Sequence, residues 1–184
     1  MNRTSFWQPI ALALAIAAAS SAVAASSSNV IMTFDRPERF TDFRVQGRNE
    51  HESAVKFAGE MSSALASTVA KQAPGCTLVF QFTDIDLGGR YEPQLTRRFN
   101  DVRFYHNGRD PVRLYFDYNL TDPRGRVLVK GSDSATDVLY LGRYPSEASQ
   151  LPFEEFFFEK QALISWIRNK IKTPESSPTL AQKR

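Results

Sequence analysis

The residues best suited to chemistry are Asp84, Asp86 and Arg90, which lie within the run TDIDLGGR. Two carboxylates one residue apart point to the same side of a strand. In that position they could bind a hard cation or divide the roles of general acid and general base. The sequence therefore nominates Asp84, Asp86 and Arg90 as a candidate ligand-binding site.

Two comparisons weaken a specific metal or catalytic assignment for this run. As a calcium loop it fails, because the fifth position is Gly88 and the twelfth is Leu95 instead of a bidentate Glu. Glycosidase acids also usually come from separate elements across a cleft. In the structural alternative, Asp84 and Asp86 accept hydrogen bonds from turn or bulge amides, with Arg90 as counter-charge. We therefore assign no catalytic residue, no metal site and no cofactor.

No other motif in the chain points to catalysis. The sequence lacks a Gly-x-Ser-x-Gly elbow, a phosphate-binding glycine loop and a paired-histidine zinc motif. Its histidines are His51 and His106, far apart along the chain, and its one cysteine is Cys76. A single cysteine cannot form an internal disulfide, and we expect it to be a small buried residue.

The amino terminus has the pattern of a secretory signal peptide. Arg3 is followed by an apolar run over residues 10–19 and by an Ala-Val-Ala site that predicts cleavage after Ala24. The run is too short to span a membrane, and no later stretch is apolar enough, so no transmembrane anchor is expected. The sequence thus predicts an exported protein with a signal peptide (1–24), a loose leader (25–29), a single domain (30–171) and a disordered tail (172–184).

Charge argues against a nucleic-acid partner. The chain has 23 basic and 20 acidic side chains, without the strong basic excess of a dedicated nucleic-acid binder. Arginines are dense between Arg90 and Arg113. They form either a solvated, salt-bridged surface or a weak contact for an anionic surface through Arg97, Arg98 and Arg103.

Apolar periodicity predicts two long helices. The first covers about residues 49–72, with Asn49 as N-cap and Glu52 completing a capping box. The second is expected over Phe153–Ile171.

Alternating patterns predict the strands. One begins at Cys76, and its apolar phase changes after Phe82, which indicates a β-bulge near Thr83-Asp84. A hairpin is predicted over residues 112–130 around the turn at residues 122–125, followed by a loop over Ser132–Thr136 and a strand over Asp137–Leu141. Together the elements predict an α+β fold with two layers, in which two long amphipathic helices pack on one face of a mainly antiparallel sheet of about 4–6 strands.

Several separated motifs resemble domain of unknown function 3016, a family of exported bacterial proteins. The resemblance covers about residues 30–171, and Gly88 stands where the family more often has alanine. The motifs are Val30–Phe34 with Pro37, Phe40-Thr41-Asp42, the run from Thr83 to Gly89, Tyr118-Asn119-Leu120 before Gly125, and Glu159-Lys160 upstream of Trp166. The resemblance implies a periplasmic location and carries no catalytic residues.

The leading functional hypothesis is a non-enzymatic binding or interaction module of the bacterial envelope, whose partner is an envelope component or a small ligand. The alternative is a metal-dependent or carboxylate-based hydrolase that acts through Asp84 and Asp86. A third possibility is a structural factor that acts by oligomerising.

Overall fold

The computed structural model describes residues 29–45, 47–91, 103–106, 109–143 and 154–171. The expected signal peptide, most of the leader and the tail lie outside these residues. The elements, in chain order, are β1 (Val30–Phe34), α1 (Glu50–Gln72), β2 (Thr77–Asp86), β3 (Arg90–Tyr91), β4 (Arg103–Phe104), β5 (Val112–Thr121), β6 (Val127–Asp137) and α2 (Phe157–Lys170). Short 3₁₀ turns lie at Pro37–Arg39 and Tyr140–Arg143.

The main sheet is mixed and has the strand order β1-β2-β5-β6. β1 and β2 are parallel, and β2-β5 and β5-β6 are antiparallel, so the α+β class is confirmed and the sheet is mostly antiparallel. The parallel pair follows from α1, because a helical crossover returns the chain to the same end of the sheet. β3 and β4 pair as a separate two-stranded sheet.

Both helices contribute to a core on one face of the main sheet. Phe57 of α1 meets the Phe82 ring edge-on at a centroid distance of 5.6 Å, and Trp166 of α2 meets Phe80 at 5.6 Å. On the opposite face, the Ile31 and Tyr115 side chains are 41% and 43% exposed. Within the described residues, the sheet therefore has one face against the helices and one open face.

The first helix begins where the sequence indicates. The Asn49 side chain accepts a hydrogen bond from Glu52 N at 2.9 Å, and Glu52 Oε2 accepts one from Asn49 N at 3.0 Å. This reciprocal pair satisfies two backbone donors that the first helical turn leaves without partners. The predicted capping box is confirmed.

The prediction for the end of the hairpin is wrong. Ser132–Thr136 is not a loop, because β6 continues unbroken to Asp137, and a 3₁₀ turn replaces the strand expected over Asp137–Leu141. The reason is tertiary: Asp133 accepts hydrogen bonds from Trp166 Nε1 at 3.1 Å and from Lys170 Nζ at 3.0 Å, both on α2. These two hydrogen bonds help to keep Ser132–Thr136 in the strand, although the polar sequence of this segment resembles a loop.

The second helix is shorter than expected. It begins at Phe157 and ends at Lys170, and Phe156 is its N-cap. The Phe156 ring packs edge-on against Phe57 of α1 at 5.0 Å, so this aromatic residue anchors the start of the helix in the core. Phe153, the expected start, lies outside the described residues.

Replacing Asn49 with alanine should lower the free energy of unfolding by about 1 kcal/mol, the usual cost of losing an N-cap. Asn49→Asp should stay close to the wild type, because aspartate caps equally well and lies at the positive end of the helix dipole. Urea unfolding followed by circular dichroism measures both changes. Equal losses for the two variants would contradict a capping role.

Candidate functional site

A register shift in β2 sets the direction of the acidic side chains. The pairing with β5 shifts between Phe82 and Asp84, which confirms the predicted bulge. Phe82 and Ile85 are both fully buried, so the core-facing phase changes across the shift. Asp84 and Asp86 therefore flank Ile85 on the side of the strand away from the core.

Asp84 is held by the segment that follows β1. Its two carboxylate oxygens accept hydrogen bonds from Thr41 N and Thr41 Oγ1, each at 2.7 Å. Thr41 supplies one backbone and one side-chain donor, so both oxygens of Asp84 have partners within the chain. This geometry matches the structural alternative for the residue.

Asp86 is paired with an arginine of β5. Arg113 Nη1 lies 3.0 Å from Asp86 Oδ2, and the two residues are cross-strand partners. Burial raises the pKa of the Asp86 carboxyl, the charges of Asp42 and Asp84 add to this, and Arg113 opposes it. Three carboxylates therefore lie close enough to interact, with Arg113 as a cationic partner.

Arg90, the third residue of the candidate site, lies on β3. Its Nε is 3.5 Å from Asp110 Oδ2, and 43% of its side chain is exposed. The ion pairs thus join Asp86 to Arg113 and Arg90 to Asp110.

Arg103, on β4, forms the most buried ion pair in this region. Its side chain is 10% exposed, and its Nη1 and Nη2 donate to the two oxygens of Asp42 at 2.8 and 2.9 Å. Nη1 also donates to the Gly89 carbonyl at 2.9 Å, and the guanidinium carbon lies 4.7 Å from the Tyr91 ring centroid. Burial alone would lower the pKa of Arg103, but the hydrogen bonds and charge of Asp42 raise it overall.

This placement changes the expectation for an anionic surface contact. The guanidinium of Arg103 is occupied inside the fold, so it has little capacity to bind an external anion. Arg97 and Arg98 lie outside the described residues. Sequence reasoning did not identify the Asp42–Arg103 pair, because its members are 61 positions apart. The only signal was Asp42 in the Phe40-Thr41-Asp42 motif.

A buried carboxylic acid lies beneath the Gly88-Gly89 segment. Glu159 of α2 is 3% exposed, and its Oε1 accepts a hydrogen bond from Gly88 N at 2.9 Å. Burial raises the pKa of this carboxyl, and the Gly88 N–H opposes part of the effect. Glu159 belongs to the Glu159-Lys160 motif, but the sequence did not nominate it as a site residue.

The two glycines of this segment differ in whether a residue with a Cβ could replace them. Gly89 has a φ of 72°, and a Cβ there would lie 2.4 Å from the Phe104 carbonyl oxygen, so only glycine fits. At Gly88 a Cβ would lie 3.0 Å from Val112 Cγ2, a tight contact that a small shift of the valine could relieve.

Residues 28–169 match the family described as protein of unknown function (DUF3016). The chain belongs to the DUF3016 family. This confirms the resemblance seen in the sequence motifs. No curated protein and no solved structure matches the chain.

In this DUF3016 chain, a shallow groove lies on the open face of the main sheet. It has a volume of about 490 Å³ and crosses β2, β5 and β6. Asn119 lies within it, and its Oδ1 is buried without a hydrogen-bond partner in the described part of the chain. The side chains that line it from the open face are Val79, Gln81, Asp117, Asn119, Lys130 and Ser132.

Two properties concern only the residues that the structure describes. There, no three His, Cys, Asp or Glu side chains form a group that could hold a metal ion. Neither helix within these residues has the length and apolar character needed to cross a membrane.

Removing the buried guanidinium with Arg103→Ala should lower the free energy of unfolding by about 3–5 kcal/mol, because Asp42 would lose its partner in a poorly solvated site. The matched control is Arg36→Ala, since Arg36 pairs with Asp35 but is 58% exposed. That variant should lose at most about 1 kcal/mol. Urea unfolding measures both losses, and similar values would contradict the role given to Arg103.

Glu159→Gln should change how stability depends on pH. The raised pKa means that the folded chain keeps the Glu159 proton to a higher pH than the unfolded chain. Stability from this group is therefore complete below the ordinary Glu pKa of about 4.3, and is lost as the pH rises through the folded value. Glutamine keeps an acceptor for Gly88 N–H but does not titrate.

The measurement is the urea midpoint of both chains from about pH 4 to about pH 8. The wild type should lose stability relative to Glu159→Gln over this range. Other titrating groups are common to both chains and largely cancel in the difference. Parallel pH profiles would show that Glu159 does not contribute.

Proposed function

We propose that this protein is a non-enzymatic binding module of the bacterial envelope. Its open sheet face would bind an uncharged, hydroxyl-rich ligand, such as a segment of an envelope glycan. The observation that carries the proposal is Asn119 Oδ1, which is buried in the groove without a donor among the described residues. A buried acceptor without a partner costs about 1–3 kcal/mol, so a rotation of the Asn119 side chain that exposes Oδ1 to a ligand hydroxyl in the groove would be favoured.

The other groove residues support a neutral polar ligand. Gln81 offers both a donor and an acceptor, Lys130 offers donors, and Asp117 offers Oδ2, since its Oδ1 accepts a hydrogen bond from Ser132 Oγ. The charges of Asp117 and Lys130 balance, so the lining does not select for a charged ligand. Tyr115, one step along β5 from Asp117 on the same face, adds a half-exposed ring that could pack against a sugar ring.

The intrachain partners of the acidic residues support a non-enzymatic role. Thr41 occupies both oxygens of Asp84, and Arg113 occupies Oδ2 of Asp86. A hydrolase that used these carboxylates would first have to release both partners. The signal-peptide pattern of residues 1–24 supports location in the envelope.

The test uses chain purified from the periplasmic fraction, where its first residue should be Ala25. Binding is measured on an array of uncharged and anionic glycans. The wild type should bind uncharged glycans, and Asn119→Ala should weaken this by up to about tenfold, the value of one hydrogen bond. Stability should be unchanged or increased in Asn119→Ala, because the variant removes an acceptor that lacks a partner.

Two lysine variants provide a matched control. Lys130 lies in the groove and Lys71 is an exposed residue of α1, which packs on the other face of the sheet. Lys130→Ala should weaken binding and Lys71→Ala should not. Failure of the wild type to bind uncharged glycans would overturn the proposal. Glycan cleavage that is lost in Asp84→Asn or Asp86→Asn would favour the hydrolase instead.

A further inference from the structure

Exposed apolar side chains concentrate along one edge of the main sheet. β6 is the last strand in the order β1-β2-β5-β6. Eight large apolar side chains are exposed among the described residues, and five of them lie on β6 or directly after it, with exposures of 40–66%. These five are Val127, Leu128, Val129, Val138 and Leu139.

The main chain of β6 can accept another strand. β6 is 11 residues long and pairs on one side with β5, and within the described residues no strand pairs with its other side. An edge strand of this length presents a row of N–H and C=O groups that match an extended backbone. Apolar side chains at its two ends would add buried area to such a pairing.

We propose that a second copy of this chain pairs with β6 in antiparallel orientation, and that the two four-stranded sheets join as one continuous sheet across a two-fold axis. This surface is the sheet edge, not the groove, so the inference goes beyond the proposed ligand binding.

The spacing of the apolar ends is self-complementary. Leu128 and Val138 are ten positions apart, and the residue midway between them is Asp133. An antiparallel pair centred on Asp133 places Leu128 of each copy near Val138 of the other, which directly follows the last residue of β6. The same register brings Val127 towards Leu139, which lies in the bend after β6. Each exposed apolar end therefore covers the other end of the second copy, and the contact closes as a dimer.

The charged residues of β6 are Lys130, Asp133 and Asp137, and they are compatible with this register. Asp137 would lie opposite Val129, but it is 5% exposed and its Oδ1 accepts a hydrogen bond from Leu139 N at 3.0 Å. Asp133 lies at the axis, but it is already bound by Trp166 Nε1 and Lys170 Nζ. Lys130 lies opposite Thr136, three positions from the axis, so the two Lys130 side chains are about 20 Å apart at 3.3 Å per residue. A parallel pairing would place the two lysines side by side. Antiparallel pairing therefore avoids like-charge contact between them.

The pairing also brings the two grooves to the same side. In this register even-numbered residues lie opposite even-numbered residues, and odd-numbered opposite odd-numbered. Since the side chains of opposed residues point to the same face of a sheet, the open face of one copy continues into the open face of the other.

The first test is the mass of the mature full-length chain in solution. The wild type should be a dimer at micromolar concentration by light scattering with size-exclusion chromatography. Leu128→Lys and Val138→Lys should each weaken the dimer by at least about tenfold, because each substitution places a charge at both ends of the contact. The matched control is Val55→Lys, since Val55 is 56% exposed on α1. It should remain a dimer.

The second test fixes the register. Ser132 of one copy lies opposite Ser134 of the other, at a Cα separation of about 4.5–5.5 Å, which a disulfide can span. A Ser132→Cys chain mixed with a Ser134→Cys chain should form a mixed disulfide dimer under mild oxidation, and neither chain alone should do so efficiently. The native Cys76 is buried and should stay reduced, as the wild-type control will show.

A wild-type chain that stays monomeric at all accessible concentrations would overturn the inference. This holds even if the monomer binds an extended peptide on β6. A dimer that survives Leu128→Lys and Val138→Lys would also overturn it, because its interface would lie elsewhere. Neither result bears on glycan binding in the groove, which is measured separately.

Discussion

The burial of one arginine organises the end of this molecule where the acidic residues meet. A guanidinium stays charged at every physiological pH, so a buried one needs a partner for its charge and acceptors for its N–H groups. Asp42, the Gly89 carbonyl and the Tyr91 ring supply these to Arg103. The partners come from the segment after β1, the link between β2 and β3, and β3 itself. Satisfying one cation therefore ties the small β3–β4 sheet to the main sheet.

The same region uses its carboxylates to hold the fold together. Asp84 accepts a hydrogen bond from Thr41 N, Asp86 accepts one from Arg113, and Glu159 accepts one from Gly88 N–H. Together these contacts join the segment before α1, the strands β2 and β5, and α2 around the Gly88-Gly89 segment. Asp84 and Asp86 each have a nearby donor within the chain, so the acidic run links these elements of the fold.

The two proposed binding surfaces lie away from the core. Among the described residues, two helices cover one face of the sheet, neither covers the other face, and no strand pairs with the outer edge of β6. The groove around Asn119 and the apolar ends of β6 lie on these surfaces. Ligand binding on the face and self-association at the edge are compatible, because they use different groups of the same strands.

The features that follow from local patterns were predictable from the sequence. The Asn49–Glu52 capping box and the bulge after Phe82 depend on neighbours within a few positions, and both were predicted correctly. The extension of β6 through Ser132–Thr136 was not, since it depends on contacts of Asp133 with α2. The sequence by itself determined the α+β class, the helix start and the phase of β2, because side-chain periodicity is local. Only the tertiary structure decided which acidic and basic residues form ion pairs. Such pairs depend on distances in space between residues that are far apart along the chain, as Asp42 and Arg103 are.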